Sequence, residues 1–159
     1  MNILFVCTGN TCRSSMAEGI LKFLLKESNI EDINVSSAGI SAFEGEDANE
    51  KAIRVLSKKG IDIKAHKARQ LNKKIIGESD LILCMTNEQK NVIIKFFPEY
   101  HKKIYTLKEY AHITNNENIS GRNLDIVDPF GLDYNVYEKT AEEIEVNLRK
   151  IIKRLDTKD

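Results

Sequence analysis

Residues 2–6, Asn2-Ile3-Leu4-Phe5-Val6, are a short apolar run without helical spacing, and they end at a segment containing Gly9. A run of that length stopped by a glycine predicts a buried strand closed by a tight loop. From Ser14 the period changes. Met16, Ile20, Phe23 and Leu24 recur at helical spacing, with Glu18, Lys22 and Lys26 off that face. Ile33 to Ala38, ahead of Gly39, is a second short strand. Strand, loop, helix and strand together open a parallel α/β sheet, because parallel neighbours need a crossover between them.

The alternation continues. Asp47 with Glu50 three residues later predicts a helix start, and Gly60 a helix stop, with Ala48, Ala52, Val55 and Leu56 on the buried stripe. Leu81 to Met85 is apolar on both faces, as a central parallel strand should be. Thr86 with Gln89 predicts a capping box opening a helix that ends before Pro98. Lys103 to Thr106 is a fourth strand. Ala111 to Leu124 is polar and Asn-rich without periodicity, which predicts a loop. Tyr137, Ala141, Ile144, Leu148, Ile151 and Leu155 share one face of a long final helix.

A chain of 159 residues fits one domain, residues 1–159, and is long enough to bury a core unaided. With 42% hydrophobic and 30% charged residues it is globular rather than disordered. Lys+Arg 24 balances Asp+Glu 24, so wholesale attraction to nucleic acid or an anionic membrane is not expected. Three cysteines, Cys7, Cys12 and Cys84, make a secreted disulfide scaffold a poor fit. No apolar stretch approaches a membrane span, and the run before Cys7 is too short for a signal peptide. A cytoplasmic protein is the expectation. His66, His101 and His112 lack metal-ligand spacing, so no metal is expected.

The chemistry concentrates in Cys7-Thr8-Gly9-Asn10-Thr11-Cys12-Arg13-Ser14. A Cys with an Arg six positions on is weak alone. Here the Cys closes a strand, the loop carries Gly9, and a helix follows. Backbone N–H groups and the helix dipole then make an anion nest sized for phosphate. A cysteine at the base of such a nest is favoured as the thiolate, a nucleophile. Arg13 offers a bidentate fork to phosphate oxygens. Ser14 either caps the helix or donates to the thiolate, and both roles are compatible. Asn10 fits a structural bonding role and Gly9 backbone freedom. A thiolate attack on phosphorus needs a general acid, and Asp128, stiffened by Pro129, is the candidate.

Taken together these residues resemble the low-molecular-weight protein tyrosine phosphatase family: Val6-Cys7, Arg13-Ser14, Asp128-Pro129-Phe130, and the landmarks Ser37-Ala38-Gly39 and Leu83-Cys84-Met85. The resemblance covers nearly the whole chain. It implies a four-stranded parallel sheet with helices on both faces and the phosphate-binding loop after the first strand. It implies a phosphocysteine at Cys7, then hydrolysis with Asp128 as base, with no cofactor. The loop sequence, Thr106-Leu107-Lys108-Glu109-Tyr110 and Asp128-Pro129-Phe130-Gly131 look most like the bacterial protein arginine phosphatases. Tyrosine-specific members usually carry an aliphatic residue where Thr11 stands, and in the arginine branch this threonine sets specificity; the alternative is that it fills space. Phe130 can stack on a ring or a guanidinium. Asp125 is a lesser candidate for gripping the guanidinium, with a solvated carboxylate as the alternative.

The resemblance also implies a reversible disulfide between Cys7 and Cys12; as a plain loop filler Cys12 would need no such role. Cys84 fits the core, and Arg69 fits the surface better than the loop scaffold. Ser15 stands where the family usually has Pro, the loop before Asp128 is longer than in close relatives, and Phe43 is the nearest match to a pocket-walling aromatic. The expected activity is hydrolysis of phosphoarginine on phosphorylated protein substrates by a monomer, with phosphotyrosine as the alternative. An arsenate reductase would need further cysteines, and only Cys84 follows Arg13. A sugar-transport phosphocarrier would need neither Arg13 nor Asp128.

Overall fold

Strand β1 (Asn2–Cys7) sits inside the sheet, and every residue after Asn2 is buried. Ile3, Phe5 and Cys7 enter one core, Leu4 and Val6 the other. Side chains alternate across a strand, so a strand covered on both faces reads as continuous apolar sequence. These relations come from a computed structural model that describes residues 1–156; residues 157–159 of the predicted domain lie outside the described residues.

The sheet has four parallel strands in the order β2-β1-β3-β4, with β2 at Asn34–Gly39, β3 at Leu81–Cys84 and β4 at Ile104–Thr106. The order reverses between β1 and β3. The crevice outside the carboxyl ends of two such strands is where open α/β sheets bind ligands. Cys7 is the last residue of β1, and Thr86 lies just beyond β3.

Helices α1 (Arg13–Glu27), α2 (Glu50–Ser57), α5 (Leu107–Thr114) and α6 (Tyr134–Asp156) pack on one face of the sheet. Helices α3 (Lys73–Glu78) and α4 (Asn87–Phe96) cover the other through Ile76 and Ile93. The expected two-faced α/β sheet is present.

Several local expectations are corrected. The cap of α2 is Asn49, whose side chain accepts from the Lys51 N–H at 2.9 Å, while Asp47 pairs with Lys67 instead. Ala48 is buried but precedes the helix. α2 ends at Ser57, and Gly60, with φ +78°, makes the left-handed turn beyond it. The Thr86–Gln89 capping box forms in full. Ala111–Leu124 is not all loop, because α5 runs to Thr114, started by Thr106, whose hydroxyl accepts from the Glu109 N–H at 3.0 Å. That cap is also the last residue of a strand, and eight residues are too few to show a period. α3 has only Ile76 buried and left no pattern to read.

The polar connection after α5 is tied down. The Glu117 carboxylate accepts from His112 at 2.7 Å on α5 and from Lys150 at 3.1 Å on α6, with Arg122 3.4 Å away. The bonds from Lys150 and His112 hold the Glu117 carboxyl below the usual carboxylate range.

Candidate active site

Cys7 ends β1 and Arg13 begins α1, so the intervening loop folds over the N-terminus of α1. The turn needs a left-handed residue, and Asn10 supplies it with φ +60°. Gly9, expected to give the loop its freedom, does not adopt that conformation, and the nearest atom to a side chain added there is Thr11 Oγ1 at 3.8 Å. The glycine the loop requires is Gly39 at the end of β2. A Cβ there would lie 2.6 Å from the Thr8 carbonyl oxygen and 3.0 Å from the Asn10 nitrogen.

The fully buried Asn10 side chain orders the nucleophile. The Arg69 backbone N–H can only donate, and it meets Asn10 Oδ1 at 3.0 Å. The amide nitrogen therefore faces the other way, donating to Ser14 Oγ at 2.8 Å and Ser37 Oγ at 2.9 Å. Ser14 Oγ, which accepts that bond, lies 2.8 Å from Cys7 Sγ, within reach to donate to a thiolate there. Ser37 likewise donates to Glu18 at 2.7 Å. The Asn10 backbone N–H adds a second donor to Cys7 Sγ at 3.3 Å. His66 Nε2 lies 2.7 Å from the Asn10 carbonyl oxygen, so that nitrogen carries the proton.

Arg13 is 5% exposed. Its Nη1 donates to the Ile126 carbonyl at 3.0 Å, and Nη2 stands 3.5 Å from Asp128 Oδ2. Ile126 is itself held by its N–H to the Met85 carbonyl at 2.8 Å, so the acid-bearing segment is pinned beside β3. Asp128 keeps 54% of its side chain exposed and accepts from the Phe130 N–H at 3.1 Å. Thr8 receives a bond from Gln89 Nε2 at 3.2 Å, which joins the α4 cap to the loop.

Above the loop lies a cavity of about 260 Å³ lined by Cys7, Thr11, Phe43, Glu46, Asp128 and Phe130 among others. Phe43 and Phe130, 78% and 69% exposed, flank it, so Phe43 does take the pocket-wall position. Asp125 lines not this cavity but a neighbouring one that shares Thr8, Arg13 and Asp128 with it.

Cys12 is buried, 3.3 Å from the Tyr137 hydroxyl. Burial pushes its thiol up, against the opposing hydrogen bond from Tyr137. Ser15 is buried and donates to the Cys12 carbonyl at 2.9 Å, so the helix start is bonded without the usual proline. Cys84 is fully buried in the second core, and burial raises its thiol too.

Some residues escaped sequence reasoning. Arg69, expected at the surface, bonds the scaffold twice, through its N–H to Asn10 and its Nε to the Ser37 carbonyl at 2.8 Å. His66, Glu18 and Glu46 gave no signal because they converge on the loop only in three dimensions. Gln89 was legible as a cap but not as a partner of Thr8. Among the described residues no cluster of three His, Cys, Asp or Glu side chains could hold a metal, and no helix is long and apolar enough to cross a membrane.

A cysteine at the base of a backbone nest, an arginine fork beside it and a carboxylate at the mouth, set at the switch point of a parallel sheet, define a cysteine-dependent phosphatase. The model of the family described as low molecular weight phosphotyrosine protein phosphatase matches residues 2–159, and the chain belongs to that family. It is 40% identical to the protein-arginine-phosphatase of Geobacillus stearothermophilus over 98% of this chain and 96% of that one. A YwlE arginine phosphatase, solved as a C7S mutant with a phosphorylated active-site serine, superposes with a TM-score of 0.88 at 37% identity, covering 100% of this chain and 97% of that one. A low molecular weight protein tyrosine phosphatase from T. tengcongensis gives a TM-score of 0.86 at 42% identity, covering 96% and 98% of the two chains.

Proposed function

We propose that this phosphatase hydrolyses phosphoarginine on proteins, with Cys7, Arg13 and Asp128 as its catalytic residues. The observation that carries the substrate reading is the wall of the Cys7 cavity. Beside Phe43 and Phe130 it includes Thr11 and two acidic residues, Glu46 and Asp128, which suit a substrate whose phosphorylated group is a guanidinium. Thr11 Oγ1 has only a long contact, 3.9 Å to Cys12 Sγ, so its hydroxyl is available to substrate.

In the first step the Cys7 thiolate attacks phosphorus and the P–N bond breaks. Asp128 gives its proton to the departing guanidine nitrogen. The backbone N–H groups of Thr8, Gly9, Asn10, Thr11 and Cys12 and the Arg13 fork hold the phosphoryl oxygens. In the second step water attacks the phosphocysteine, Asp128 takes its proton, and sulfur leaves as thiolate, accepting from Ser14. Cys12, in the same loop, is the candidate partner for a protective disulfide with Cys7.

Phosphotyrosine is the second reading, favoured by Phe43 and Phe130 at the mouth, which could sandwich an aromatic ring. The test is kcat/KM on a phosphoarginine protein and a phosphotyrosine peptide for wild type, Cys7→Ser and Thr11→Ile. Preference for phosphoarginine that Thr11→Ile shifts toward phosphotyrosine is the expected result. Wild-type preference for phosphotyrosine overturns the arginine assignment, and full activity in Cys7→Ser overturns the mechanism.

We also take residues 1–159 to be one catalytic domain acting as a cytoplasmic monomer. A continuous sheet supports the first point. A nucleophilic thiolate that must stay reduced supports a reducing compartment. Sedimentation at working concentration tests the monomer.

A further inference from the structure

The start of α2 touches both the phosphate loop and the segment that carries the proposed acid. The backbone N–H of its cap, Asn49, donates to the Thr11 carbonyl oxygen at 2.9 Å. Two residues on, Lys51 Nζ donates to the Leu132 carbonyl at 2.6 Å. The same ammonium lies 5.8 Å from the centre of the Tyr137 ring, whose hydroxyl is 3.3 Å from Cys12 Sγ. A cation in a first helical turn opposes the helix dipole, so the stability of α2 does not account for a lysine there.

The acid segment has few other anchors. On its near side Ile126 is held by Met85 and Arg13. Beyond that the bonds are internal. Asp128 accepts from the Phe130 N–H at 3.1 Å, the Leu132 N–H donates to the Pro129 carbonyl at 2.9 Å, and Gly131 turns the chain at φ +76°. These bonds fold a turn without fixing it to anything outside. Phe130, Gly131 and Leu132 are exposed, and Pro129 is the one buried residue between Asp128 and Asp133. Among the described residues, Lys51 gives residues 129–132 their only hydrogen bond from another part of the chain.

We infer that Lys51 is a positioning residue, which holds the far side of this turn so that the Asp128 carboxylate stays at the mouth of the Cys7 cavity. The contact between Arg13 and Asp128 cannot do this throughout the reaction. It needs an ionised carboxylate and a free arginine fork, whereas proton donation needs a protonated carboxyl and a bound phosphoryl group takes the fork. The bond from Lys51 to a backbone carbonyl needs neither. The inference rests on the reading of Asp128 as the general acid, and not on which phosphorylated residue the enzyme prefers.

The experiment measures kcat/KM on phenyl phosphate, a poor leaving group, and on p-nitrophenyl phosphate, a good one. The enzymes are wild type, Lys51→Met, Lys51→Arg, Asp128→Asn and the double variant Lys51→Met with Asp128→Asn. Lys51→Met keeps the stem and removes the donor. It should lower the rate on phenyl phosphate about tenfold, the scale of a modest misplacement of a catalytic group, and cost far less on p-nitrophenyl phosphate. Lys51→Arg retains a donor and should keep the wild-type ratio of the two rates. In the Asp128→Asn background Lys51→Met should cost nothing further, because the group it positions is gone. Equal losses on the two substrates, or a loss that persists in that background, would place the effect on general packing or on Tyr137 and overturns the inference. If Asp128→Asn separates the two substrates and Lys51→Met does not, the inference alone fails. If Asp128→Asn does not separate them, the acid reading fails and the inference with it.

Discussion

Arg13 and Asp128 already face one another across the phosphate loop, Nη2 to Oδ2 at 3.5 Å, while the other arm of the guanidinium is fixed on the Ile126 carbonyl. The proposed clamp thus also fixes the segment that carries the proposed acid. Replacing Asp128 by Asn keeps the contact and removes the proton. Turnover of a substrate with a poor leaving group should fall about 10²–10⁴-fold. An aryl phosphate with an acidic phenol should lose far less. Equal losses on both substrates would show that Asp128 does not protonate the leaving group.

Ser14 Oγ accepts from Asn10 and lies 2.8 Å from the Cys7 sulfur, placed to donate to it as it leaves. Ser14→Ala removes a bond to a charged sulfur, a contribution of about 1.5–3 kcal/mol, so phosphocysteine breakdown should slow by roughly ten- to a hundredfold. The expected signature in rapid-quench kinetics is a burst followed by a slow steady state. A variant that turns over at the wild-type rate with no burst would remove Ser14 from the second step.

Asn10→Ala removes the donor to two serines, leaves the half-buried Arg69 N–H without its acceptor, and places a Cβ-bearing residue without side-chain compensation at φ +60°. A loss of about 3 kcal/mol is expected from the unmade bonds and the left-handed backbone together. Asn10→Gly should recover about 1 kcal/mol of it, the backbone part alone. Urea midpoints of the three proteins check the order.

Glu117 gives a pH dependence whose sign is set by its partners. Lys150 and His112 hold its carboxyl below the ordinary value. The unfolded chain therefore binds that proton at higher pH than the folded one. The stabilisation is complete above the unfolded carboxylate value of about 4.3 and is lost as pH falls through the depressed folded value. Glu117→Gln should lower Tm at pH 7, and the gap to wild type should narrow steadily below about pH 4. A constant gap across that range would separate Glu117 from the acid response.

The sheet was legible because burial on both faces leaves short uninterrupted apolar runs, as at Ile3–Val6 and Leu81–Met85. The loop was legible because the nest chemistry is local in sequence, from Cys7 to Ser14. What remained hidden depends on distant partners or short elements. Arg69 read as a surface cation because its decisive group is a backbone N–H that any residue but proline would supply. α5 was lost behind a threonine that ends a strand and caps a helix at once. Asp125, a lesser candidate for the guanidinium with a solvated carboxylate as the alternative, lines the adjoining cavity, a placement that no local pattern in the sequence gives.

The Asn10 network also orders events in time. Cys7, Arg13 and Ser14 are made before three of the groups that fix Asn10, which belong to residues 37 and 69 for the amide and residue 66 for the carbonyl. A nascent chain shorter than that carries Cys7, Ser14 and Asn10 without the distant partners that orient Asn10. The enzyme therefore emerges from synthesis with its most oxidisable group unarmed, and assembly of the sheet, rather than any later processing, is what arms it.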